Sequence, residues 1–133
     1  MSNKLFVSYR ADEEGTRYKN LLVAWSENDN GYFDIKFEDT SIGISINSSD
    51  ANYIKRRIRE KISESETVLV LIGENTYKSE WVEWEIEKAY ELNKKLVAVK
   101  IKNSYTSPSA IFGKGATWAK SFNYESIKKA VDG

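Results

Sequence analysis

Apolar residues fall into two kinds of run along this chain, and their alternation predicts the architecture. Short, nearly continuous runs stand at Lys4-Leu5-Phe6-Val7-Ser8, Val68-Leu69-Val70-Leu71-Ile72 and Leu96-Val97-Ala98-Val99-Lys100-Ile101. Runs with so little alternation suit strands covered on both faces, as in a parallel sheet. Thr67 to Ile72 is the most continuous and is expected at the centre. Tyr32 to Glu38 alternates instead, with Phe33, Ile35 and Phe37 on one side, which predicts a half-exposed edge strand. Thr117 to Phe122 predicts a short last strand.

Between these runs the apolar spacing changes to that of helices. Tyr18, Leu21, Leu22 and Trp25 mark a helix from Glu14 to Glu27, ended by the turn residues Asn28-Asp29-Asn30-Gly31. Ile54, Ile58 and Ile62 mark a second, with Asp50 as its cap and its end near Ser63. Val82, Ile86 and Ala89 share the stripe of a third, and Asn93-Lys94-Lys95 closes it with cations that suit the helix dipole. Asn123 caps a last helix that buries Ile127, Ala130 and Val131. Strands thus alternate with helices, with no repeat and no internal linker. The expected fold is α/β and doubly wound: a mostly parallel five-stranded sheet with helices on both faces. With 133 residues, positions 1–133 form one domain.

One helix contains an exception to its own pattern. Glu80, Glu83, Glu87 and Glu91 fall opposite the Val82 stripe, facing water. Glu85 does not join them. It lies at the edge of the apolar stripe, one turn after Trp81. A carboxylate beside buried apolar groups near the mouth of a sheet is a candidate for chemistry. The plain alternative is an ion pair with Lys88, three residues on.

Composition narrows what that chemistry is. There are no Cys and no His residues, so thiol nucleophiles, zinc-thiolate sites, His general bases and Ser-His-Asp triads are excluded. Any catalysis rests on carboxylates, hydroxyls, Lys, Arg or backbone groups, and no metal is called for. The formal net charge of +0 argues against a nucleic-acid surface. No apolar run approaches a membrane span. Met1-Ser2-Asn3-Lys4 leads straight into a strand, so no secretory signal is expected, and the compartment expected is the cytoplasm. Four Trp and eight Tyr are many for this size and serve packing or a stacked ligand.

In open parallel sheets ligands bind outside the carboxyl ends of the strands. That rim would gather Ser8, Tyr9, Arg10, Asp39, Asn75, Trp81 and Glu85 around one pocket. The long loop from Asp39 to Ser49 carries Ile42, Ile44 and Ile46, which either meet a partner surface or fold back on the core. Asn103 to Gly115 is a loop rich in Ser, Gly and Lys and holds the only proline, Pro108.

Three separated stretches carry a resemblance. Leu5-Phe6-Val7-Ser8-Tyr9 resembles the first-strand motif of TIR domains. Glu38-Asp39-Thr40-Ser41-Ile42-Gly43 is similar to their loop after the second strand. Ser79 to Ala89 is similar to their third-helix motif, in which a Trp stands four residues before the catalytic Glu. The short form most resembles the TIR-like proteins of bacterial Thoeris anti-phage systems, over about residues 4 to 101. Val82 stands where TIR domains often carry Cys, and Gly43 stands without the usual preceding proline. From Asn103 on, the chain matches nothing in the family.

The resemblance implies a TIR-like, flavodoxin-like fold and cleavage of NAD between nicotinamide and ribose, with NAD as substrate and no bound cofactor. Glu85 would be the catalytic carboxylate. Trp81, with Tyr9 or Phe6, would supply an apolar wall against a ring, and Ser8 and Arg10 would meet hydroxyls and phosphates. Some members cyclise the remaining ADP-ribose into a signal for a separate effector protein, and many work as homo-oligomers. Other expectations are an enzyme that only depletes NAD, and a non-catalytic adaptor that self-assembles through the Ile42 to Ile46 loop. Other α/β functions fail on chemistry. A receiver domain needs an Asp where Ile72-Gly73 stands. A flavodoxin phosphate loop and a dinucleotide glycine fingerprint are both missing.

Overall fold

The computed structural model describes residues 3–28, 33–37 and 44–133. Five strands are described: β1 (Asn3–Tyr9), β2 (Phe33–Lys36), β3 (Thr67–Ile72), β4 (Lys95–Lys100) and β5 (Thr117–Ala119). The helices are α1 (Glu13–Asn28), α2 (Ala51–Ser63), α3 (Glu80–Glu91) and α4 (Tyr124–Asp132). The sheet runs β2-β1-β3-β4-β5, and every pair in it is parallel. The order turns at β1 and β3, so the crevice between their carboxyl ends is the switch point where such folds take ligands.

Strand parity divides the core. Leu5, Val7, Tyr9, Leu69, Leu71, Val97 and Val99 face α1 and α4. Phe6, Val68, Val70, Ile72, Leu96 and Ala98 face α2 and α3. All six residues of β3 are buried, as its lack of alternation predicts. β2 is an edge strand whose Phe33, Ile35 and Phe37 turn to the α1 side.

Two local expectations change. Asp50 precedes α2 but makes no side-chain cap bond, because its φ of −67° and ψ of −25° are already helical. Lys94 and Lys95 do not cap α3. Asn93 ends it with a left-handed φ of 59°, while Lys94 N–H donates to the Ala89 carbonyl and Asn93 N–H to that of Tyr90. This is the Schellman arrangement, with Asn in the usual glycine place. The Lys94 ammonium instead reaches the Ser63 carbonyl at the end of α2, and Lys95 reaches the Val131 and Gly133 carbonyls at the end of α4. The cations meet the negative ends of neighbouring helices rather than that of their own.

Candidate active site

β1 and α3 build the centre of the site. Ser8 follows Phe6 by two residues, so it faces α2 and α3, and it lies beside Val70 of β3. α3 starts sharply because Ser79, in extended backbone, accepts from the Val82 N–H at 3.2 Å. From that start Val82, Glu85, Ile86 and Ala89 point at the sheet. Glu85 is 4% exposed and Ser8 is fully buried. The Ser8 hydroxyl donates to Glu85 Oε1 at 2.6 Å. Lys88, the alternative partner, pairs with Glu91 at 3.1 Å and lies over the Trp84 ring. Among the described residues, the buried side-chain polar atoms are all satisfied.

The surrounding rim is tied across its loops. Arg10 donates to the Asn75 carbonyl at 3.1 Å and pairs with Asp12. Glu14 accepts from the Glu74 N–H and from the Tyr105 hydroxyl, at 2.8 and 2.9 Å. The loops after β1, β3 and β4 are thereby linked. Glu14 and Tyr105 were not legible as site residues. A Glu in a first helical turn looks like an ordinary dipole partner, and its hydrogen-bond partner here is 91 positions away. The hydrogen bond to Glu14 holds the Tyr105 phenol above the usual tyrosine value of 10.0, with burial adding to the effect.

The expected residues divide. Ser8 and Glu85 meet directly, and Arg10 and Asn75 meet on the same rim. Trp81 stands one turn before Glu85, but its indole N–H donates to the Ile44 carbonyl at 2.8 Å and its ring meets Trp84 edge-on. Its contacts here are those of a packing residue that anchors the incoming loop. Ile44 packs on the α2–α3 core, so this Ile folds back. Phe6 and Ser8 are both fully buried, so Phe6 does not wall an open pocket and the Ser8 hydroxyl meets Glu85 rather than a ligand hydroxyl or phosphate. Tyr9 faces the opposite side of the sheet, against Phe37 and Lys19, because it is one residue from Ser8. Asp39 and Ile42 lie outside the described residues.

A family model described as the TIR-like domain of the Thoeris protein ThsB matches residues 6–106. The chain belongs to this family. The match includes both partners of the buried pair, Ser8 and Glu85, and stops ahead of β5. No curated protein sequence matches the chain. Among solved structures it is similar to a 2-deoxyribosyltransferase from Bacillus psychrosaccharolyticus (13% identity, 93% of this chain and 95% of that one, TM-score 0.67). It is also similar to the TIR domains of the activated Roq1 resistosome (19% identity, 83% and 62%, TM-score 0.56). A third likeness is to the CMP N-glycosidase BcmB of Clostridium botulinum (15% identity, 74% and 71%, TM-score 0.52). At these identities the likeness is one of fold.

Proposed function

We propose that this ThsB-type TIR-like domain cleaves NAD at the bond between nicotinamide and ribose, in anti-phage defence. The observation that carries this reading is the buried Ser8–Glu85 pair at the carboxyl end of β1. The proposed chemistry suits a chain without His. The bond between ribose C1′ and the pyridinium nitrogen breaks, and its electron pair leaves with nicotinamide as a neutral molecule, so no general acid is required. The ribose passes through an oxocarbenium-like state of the kind that carboxylates stabilise in glycosidases. Glu85 is the preorganised negative group for that charge, and Ser8 fixes its orientation. Arg10, on the same rim, is suited to the diphosphate. Attack on C1′ by water, which loses a proton to solvent, gives ADP-ribose. Attack by a ring nitrogen of the adenine gives a cyclic product, which would signal to a separate effector protein.

The test is purified protein with NAD, resolved by chromatography and mass spectrometry. Nicotinamide release is expected, falling by about 10²-fold or more in Glu85→Gln. Unchanged release in that variant would sink the mechanism. A cyclic product would assign the signalling role and linear ADP-ribose the depleting one. A silent protein that self-associates would favour an adaptor instead.

A further inference from the structure

On the carboxyl edge, away from Ser8, a cleft of about 400 Å³ is lined by Lys100, Asn103, Ser107, Phe112, Trp118 and Lys120. That volume lies within the range of small-molecule sites, about 300–1,000 Å³. Phe112 is 61% exposed, yet its ring stacks on Trp118 with centroids 6.1 Å apart and planes 28° from parallel. A large ring held flat in water gains little for folding and offers a rigid platform. The cleft has no acidic lining residue, and neither the Lys100 nor the Lys120 ammonium has an ion pair among the described residues. Lys36, Lys94, Lys95 and Lys114, by contrast, each reach an oxygen. Lys100 ends β4 and Lys120 follows β5, respectively two and three strands from β1. At roughly 4.8 Å per strand they stand about 10 and 14 Å from the Ser8 strand.

We propose that this cleft binds a nucleoside phosphate, with its base on Phe112 and its phosphate between Lys100 and Lys120. A single platform in a cleft that also holds two ammonium groups matches the two ends of that ligand class. Asn103 and Ser107 supply an amide and a hydroxyl for the base edge or ribose. The same chemistry is carried by a free mononucleotide and by one half of a dinucleotide. The site stands apart from the proposed NAD cleavage and does not depend on it.

The probe is AMP, titrated calorimetrically into the full chain; the arm with NAD uses Glu85→Gln, so that no turnover is read. Saturable binding that weakens with salt is expected. Phe112→Ala should weaken it about tenfold and Phe112→Tyr should restore it. Lys100→Gln with Lys120→Gln should weaken it about tenfold and flatten the salt dependence. Adenosine and inorganic phosphate, each holding one end, should bind at least about tenfold more weakly than AMP. Displacement of AMP by NAD identifies the dinucleotide as the source, and its retention identifies a free mononucleotide. The proposal is overturned if AMP does not bind, or if it binds equally to the Phe112→Ala and double-lysine variants while their circular dichroism stays native.

Discussion

Ser8 and Glu85 are 77 positions apart, and a single hydrogen bond joins them. Ser8→Ala would leave a buried carboxylate without its hydroxyl donor. A stability loss of about 1–3 kcal/mol is expected in denaturant titration. If Ser8 orients Glu85 as proposed, nicotinamide release should also slow, by about tenfold, a cost that lost stability alone would not produce in folded protein. Tyr105 permits a separate test by pH. Its neutral phenol is favoured in the folded chain by the bond to Glu14, so its value is raised. A group raised in this way contributes stability that is whole below 10.0 and lost as pH climbs through the folded value. Difference absorbance between the protein and Tyr105→Phe should therefore show one late-titrating tyrosine. In Glu14→Gln its midpoint should fall back towards 10.0. An unmoved midpoint would mean that the Glu14 bond is not the cause.

At the scale of elements, α3 matters most, because its phase decides where Glu85 points. Both ends of the helix are set locally: Ser79 at the start and Asn93 in left-handed backbone at the end. Ser79→Ala should cost about 1 kcal/mol in thermal or chemical unfolding. Asn93→Ala should cost about 1 kcal/mol, because Ala keeps the Cβ but lacks the short polar side chain that eases left-handed backbone, whereas Asn93→Gly should cost nothing or stabilise. Equal effects of Ala and Gly at 93 would contradict the Schellman assignment. The stripe of Val82, Ile86 and Ala89 was a local pattern in sequence. The destination of the Lys94 and Lys95 ammonium groups was not, because the carbonyls they meet belong to other helices.

Across the whole molecule, α3 also carries the segment that follows β4. Glu83 accepts from the Ser109 and Ala110 N–H groups, at 3.0 and 2.9 Å, and so holds a short 3-10 turn, Ser109–Ile111. Ile111 is buried in the α2–α3 core beneath it. Glu83→Ala should leave the circular dichroism native while speeding proteolysis between residues 103 and 116. Unchanged cleavage would mean that Ile111 alone secures the turn. In sequence Glu83 was one of a row of water-facing acids, and Asn103 to Gly115 was only a polar loop. The turn formed because the loop came back over α3, which periodicity along one helix does not reveal.

Local patterning determined the strands, the helices, their alternation and the place of Glu85 at the edge of the apolar stripe. Each follows from which positions along a short run are apolar, and burial enforces that choice wherever the run is placed. Tertiary structure alone decided that Ser8 is the partner of Glu85, that Tyr9 turns to the other face, and that Glu14 clasps both Glu74 and Tyr105. Those outcomes depend on strand order and on groups brought together from distant parts of the chain, where a one-residue difference in parity sends a side chain to the opposite side of the sheet.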